Sequence, residues 1–314
     1  MADGCNLYVS EEDVRQIAAS LDRPRLIEDI SPPDLKPSQV REMLETVSRD
    51  KIVNILEDRS KPAARAMGRF LMTATGAQEN LNPEDARRIP DAFRDVLKDH
   101  PSALGVFVRP AGLRGRGSSG ILHGAEILAA QALQRGEFTT STGYRLRIDP
   151  QDEPEFGLKH AGEFVEWKRG GTIETDILIH RGGRLDLPPI GIDVKYSKRG
   201  HYDVKPELPA ELTRIRNALR DGQLDRFVFV TQGEFTNPFK KVIGAVNRDL
   251  LIDWMNEKGE EVEYEHLKTS EERGPVPNLD PRTIDDLALD EILALAGKYR
   301  IPVIETCEHV RVTQ

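Results

Sequence analysis

The sequence predicts an α/β fold, a mixed β-sheet core flanked by helices and preceded by an α-helical N-terminal domain. Three features support this reading. The first hundred residues carry helical apolar spacing and helix-start signals. Residues 120–267 alternate helical patterns with short aliphatic runs, as a sheet with covering helices requires. Two of those runs, residues 172–180 and 190–196, lie side by side in GTIETDILIHRGGRLDLPPIGIDVKY, separated by the turn formers Gly182, Gly183, Pro188 and Pro189.

In chain order, Ser10 followed by Glu11, Glu12 and Asp13 reads as an N-cap with first-turn acids, opening a helix over residues 14–21. Pro24, Pro32, Pro33 and Pro37 punctuate the next stretch. A helix over residues 38–56 follows, with Met43, Leu44, Val47, Ile52, Val53 and Leu56 in its apolar set. Pro62 suits the first position of a helix through Met72, and Asn82 with Pro83, Glu84 and Asp85 caps another to Lys98. These helices hold no catalytic constellation. Residues 1–112 are therefore expected to be a partner-binding or regulatory domain. A short strand at 104–108 leads into PAGLRGRGSSG, where glycine content marks the domain boundary. Arg109, Arg114 and Arg116 make this segment locally basic, and it reads as a solvated linker.

Residues 113–272 form the α/β core. A helix from Ile121 ends at Gly136 and carries Glu126 among small and apolar neighbours. Residues 138–148 read as a strand, 151–157 as an acidic loop, and 164–167 as a strand or the approach to the 172–180 run. After Lys195 comes a polar loop with Lys198, Arg199, His201 and Lys205. A helix at 210–220, a buried strand RFVFVT at 226–231, a helix from Asn237 to about residue 256 and an edge strand at 262–267 complete it. The remainder, 273–314, reads as a linker, a capped helix at 283–298 and a closing strand at 301–312.

Composition narrows the function classes. The chain of 314 residues is 38% hydrophobic and 31% charged, which suits a protein with a sizeable core. No apolar run approaches the roughly 20 residues of a membrane span, and the first residues lack the basic and apolar regions of a signal peptide. Cys5 and Cys307 are far apart and without metal-ligand spacing, so a reducing, cytoplasmic location is expected and zinc is not. The net charge of −9 argues against a general polyanion binder, though not against a nuclease with local positive charge. Neither a phosphate loop with its lysine nor a dinucleotide-binding glycine motif after a strand is present.

The chemistry concentrates in the paired runs. Asp176 precedes Ile177, Leu178 and Ile179; Asp193 follows Gly191 and Ile192 and is followed by Val194 and Lys195. Side chains alternate along a strand, so Asp193 and Lys195 share a face. Two carboxylates and one ammonium around a point could hold a divalent cation. An acid-x-Lys triplet is weak by itself, and the chain also has Asp34–Lys36, Glu166–Lys168 and Asp203–Lys205. Only Asp193 follows an aliphatic strand with a second acid-bearing strand just upstream.

This arrangement resembles the PD-(D/E)xK phosphodiesterase superfamily, the fold of many restriction endonucleases. The order of elements is similar: a helix with Glu126, a strand with Asp176, a strand with Asp193 and Lys195, then a helix and a strand. The resemblance covers about half of the chain. Thr175 stands where the motif has proline, and Glu163, Glu166 and Glu174 compete with Glu126. The resemblance implies a restriction endonuclease-like core and a Mg²⁺- or Mn²⁺-dependent endonuclease, with DNA preferred over RNA. Asp176, Asp193, the Val194 carbonyl and Glu126 would hold the metal, and Lys195 would orient water or stabilise developing charge. Lys198, Arg199, His201 and Gln232 would contact nucleic acid. Endonucleases of this fold often dimerise, so a homodimer is compatible. The alternatives are an RNA- or tRNA-cleaving toxin on the same fold and a non-catalytic scaffold.

Overall fold

The structure, a computed structural model, describes residues 9–22, 48–75, 81–100, 120–140, 143, 145–156, 165–167, 171–173, 175–182, 187–269, 289–299 and 301–309. The expected strand at 104–108, the PAGLRGRGSSG segment, and the N-terminal parts of the helices read at 38–56 and 283–298 lie largely or wholly outside these residues.

Three of the N-terminal helices start where Ser10, Pro62 and Asn82 predict. Ser10 caps α1 (Glu11–Ser20) with a reciprocal box: its hydroxyl accepts from the Asp13 N–H, and Asp13 accepts from the Ser10 N–H. Helix α2 covers Arg49–Glu57, α3 Pro62–Ala74 with proline in its first turn, and α4 Pro83–Asp99. The Asn82 side chain accepts from the Asp85 N–H and caps α4. Helix α5, Gly120–Gln134, ends where Gly136 takes a positive φ of 60°.

Strands β1 (Phe138–Thr140) and β2 (Arg145–Leu146) form an antiparallel pair where one strand was expected; Gly143, with φ of 79°, sits between them. The expected acidic loop contains β3, Glu153–Phe156. Its Pro154 is accommodated because β3 is an edge strand, pairing among the described residues only with β6 (Ile177–His180). The run read as one strand at 172–180 is divided. Its first part is β5 (Gly171–Ile173), which pairs with β4 (Val165–Trp167) in a separate ribbon. Then follow β7 (Ile190–Lys195), β8 (His201–Tyr202), α6 (Leu208–Arg220), β9 (Arg226–Thr231) and β10 (Glu234–Phe235). Helix α7 runs from Asn237 to Thr269, through the segment expected to be an edge strand. The Glu- and Lys-rich composition there favours helix over strand. Helix α8 (Leu289–Tyr299) and β11 (Ile304–His309) close the described chain.

The fold is mixed α/β. Its main sheet has seven strands in the order β2-β1-β11-β9-β7-β6-β3. The central β7, β9 and β11 are parallel, and the flanking pairs are antiparallel. One buried cluster joins α1–α5 to the sheet face bearing Ile192, Val194, Val228 and Val230. A second joins α6 and α7 to the opposite face, bearing Phe227 and Phe229. The N-terminal helices thus share a core with the sheet, and the C-terminal segment supplies its internal strand β11. Both sequence-drawn limits, at 112 and 272, fall outside the described residues. Among the described residues no helix is long and apolar enough to cross a membrane.

Candidate functional site

Strand β7 divides its side chains by parity. Ile190, Ile192 and Val194 enter the cluster beneath α5. Gly191, Asp193 and Lys195 take the other face, toward α6. The alternation follows from extended backbone. Gly191 has no room for a side chain, because a Cβ there would stand 2.9 Å from the Phe227 ring and 3.2 Å from Thr175 Cγ2. Lys195 Nζ lies 5.3 Å from the centre of the Phe229 ring, a cation–π contact.

Lys195 is held by two acids. Its Nζ donates to Asp193 Oδ2 at 2.9 Å and to Glu211 Oε1 at 3.1 Å. Glu211 comes from the first turn of α6 and stands beside Asp193. Burial and then the neighbouring Asp193 push the Glu211 carboxyl up to about 7, against the opposing pull of Lys195. Burial alone would lower the Lys195 ammonium; Asp193 and Glu211 outweigh it and hold that group above its ordinary range. The sequence reading missed Glu211. Its signal is the spacing Leu208, Glu211, Leu212, Ile215, which puts an acid on the border of a buried helical stripe.

Asp176 enters the same strand from the side. Its Oδ2 accepts from the Val194 N–H at 2.7 Å, so a carboxylate stands where a ladder carbonyl would be. Its own N–H donates to the Ile192 carbonyl at 2.9 Å, while Ile177 is the register partner of Ile192. Two residues therefore share one partner, a bulge that re-aims the chain before β6. Asp176 and Asp193 are 1% and 2% exposed, so both carboxylates are taken out of water. Thr175, at the motif's proline position, is buried; its hydroxyl has no hydrogen-bond partner among the described residues.

Glu126 is also buried, but on α5, whose Ala125, Ile127 and Leu128 belong to the cluster on the Ile192 and Val194 side. Glu126 and Glu211 therefore approach β7 from opposite layers. Glu163 and Glu174 lie outside the described residues, and Glu166 is in β4. Among the described residues, no group of three or more His, Cys, Asp or Glu side chains is arranged to hold a metal ion.

Beyond Lys195 opens a cleft of about 580 Å³ at the carboxyl ends of the three parallel strands. Lys198, Arg199 and Gln232 line it, as does Tyr196. His201 is exposed on β8. The helical domain forms one wall. The Tyr196 hydroxyl accepts from the Asn82 N–H and donates to Asp85 Oδ2, each at 3.0 Å. Comparison with family models, curated proteins and solved structures found nothing that matches this chain.

Proposed function

We propose that the chain is a metal-dependent nuclease with a restriction endonuclease-like core, most readily a DNA endonuclease. The observation that carries the reading is Asp176 bonded to the backbone between Asp193 and Lys195, with that lysine clamped by two acids. The chain order α5, β3, β6, β7, α6, β9 supports the core assignment.

The donor types suit Mg²⁺ or Mn²⁺. Asp176, Asp193 and the Val194 carbonyl offer hard oxygens on two adjacent strand segments. Glu211 is the acid beside Asp193, and Glu126 is the acid available from α5. Such an ion, when bound, supplies Lewis-acid polarisation of a phosphate and a more acidic water. The protein's own part is to position and to balance charge. Asp193 and Glu211 fix the Lys195 ammonium, which can orient a nucleophilic water or stabilise charge on a phosphate oxygen. Lys198 and Arg199, three and four residues further on, are placed to receive a phosphodiester backbone.

Plasmid DNA incubated with Mg²⁺ should be nicked by the wild-type chain, and by neither Asp193→Ala nor Lys195→Ala of unchanged circular dichroism. Cleavage retained in both variants would put the chemistry elsewhere. Glu126→Gln and Glu211→Gln run beside them show which acid takes part. Total RNA run in parallel separates the RNA-cleaving alternative.

A further inference from the structure

The cleft beyond Lys195 has a buried amide, on Gln232, for which the resemblance implied a nucleic-acid contact without saying which part of the strand it meets. Gln232, just after β9, is 6% exposed and lines the cleft; its Nε2 has no hydrogen-bond partner among the described residues. A buried amide donor left without a partner costs stability, so native structures keep few of them. The volume of about 580 Å³ suits a small ligand, since such sites span about 300–1,000 Å³. The location at the carboxyl ends of parallel strands is a recurrent place for ligands in α/β sheets.

The lining is polar and charged in a particular order. Two of its acids are already engaged. Asp85 accepts from the Tyr196 hydroxyl and from Asn82 Nδ2, and Glu308 accepts from Lys240 and the Phe235 N–H. Glu234 is exposed at the rim. The Arg199 guanidinium makes no ion pair with the described residues, and with Lys198 it gives the exposed mouth positive charge. The two loops beneath are fixed against each other: the Glu234 N–H donates to the Gly200 carbonyl at 2.9 Å, and a Cβ on Gly233 would collide with Gly200. The cleft is therefore preformed. Cations lie at its mouth and an unsatisfied amide lies deeper.

We infer that this cleft binds one nucleotide of a nucleic-acid strand, its phosphate on Lys198 and Arg199 and its base edge on the Gln232 amide. The inference rests on the nuclease reading for the class of ligand. A Gln amide can pair in two places with an adenine edge, which makes adenine the first base to test. Asn82 and Tyr196 form the opposite wall, so the helical domain shapes what the cleft accepts.

The test is fluorescence anisotropy in EDTA, with a labelled short oligodeoxyadenylate and the same strand carrying abasic sites. The wild-type chain should bind the base-bearing strand more tightly. Gln232→Leu and the near-isosteric Gln232→Met, each with an unchanged melting temperature, should lose about tenfold for that strand and nothing for the abasic one. Arg199→Gln should weaken both strands equally and reduce the salt slope by about 0.7. Equal wild-type affinity for the two strands, or Gln232 variants that bind both as wild type does, would overturn the inference. Nicking assays run beside it keep the two readings apart. Base-dependent binding without nicking in either Mg²⁺ or Mn²⁺ removes the catalytic reading and leaves the cleft. Nicking with base-independent binding does the reverse.

Discussion

Two buried acids in this chain have opposite surroundings. Asp13, in α1, meets one cation and one cap donor. Arg69 reaches it from α3, with Nε at 3.1 Å from Oδ2, and the Ser10 N–H donates to the same carboxylate, while the Ser10 hydroxyl accepts from the Asp13 N–H. One acid faces one base, and local hydrogen bonds satisfy the rest. Asp193 shares Lys195 with Glu211, and Asp176 lies against the next peptide. The first arrangement closes on itself and ties two helices together. The second sets two acids on one lysine, with a third acid on the adjacent peptide, and buried charge of this kind is costly to maintain for stability alone. Charge balance, more than burial, separates a structural acid from a candidate functional one.

Removing the shared cation should produce the largest effect. Lys195→Met leaves Asp193 and Glu211 facing each other in a dry layer, and should lower stability by about 3 kcal/mol in urea unfolding at neutral pH. Adding Glu211→Gln should restore more than about 1 kcal/mol, because the variant removes the acid that the lysine no longer offsets. Strict additivity of the two changes would mean that the acids do not repel each other through this site. Nicking should be lost in both the single and the double variant.

The balanced pair predicts a smaller loss. Arg69→Met should cost about 1–2 kcal/mol, discounted because the arginine side chain is 34% exposed. No second acid waits to be relieved, so no neutralising partner other than Asp13 should rescue it. No rescue of Lys195→Met by Glu211→Gln, beside rescue of Arg69→Met by a neutralised acid other than Asp13, would reverse the contrast.

The elements that carry this contrast were partly legible in the sequence, because local rules wrote them. Ser10, Asn82, Pro62 and Gly136 announced helix ends, and caps act within a few residues. Alternation in IGIDVK put Asp193 and Lys195 on one face. What depended on distant packing was not legible. The edge position that lets Pro154 sit in a strand, and the insertion of β11 between β1 and β9, are set by partners far away in sequence. Glu211 was hidden for the same reason: its role follows from α6 bringing it to Lys195, while on the helix alone it reads as an ordinary first-turn acid. Glu126 illustrates the converse. Its place before the two acid-bearing strands was visible, but the layer from which α5 approaches β7 was not.

The smallest expected effect concerns acid. Burial would raise the Asp13 carboxyl, but its bonds to Arg69 and Ser10 outweigh that and hold it below the ordinary value of 3.8. A carboxyl depressed in the folded state stabilises the fold fully above its unfolded value. That contribution fades as pH falls through the folded value, because the protonated form no longer prefers the native site. Asp13→Asn should therefore melt below wild type at about pH 6, by an amount worth about 1 kcal/mol, and the gap should narrow toward about pH 3. A gap that stayed constant over this range would assign the stabilisation to the neutral capping bonds alone. The one-acid, one-cation pair would then owe little to its charge, and charge balance would lose its value as the test that sets Asp193 apart.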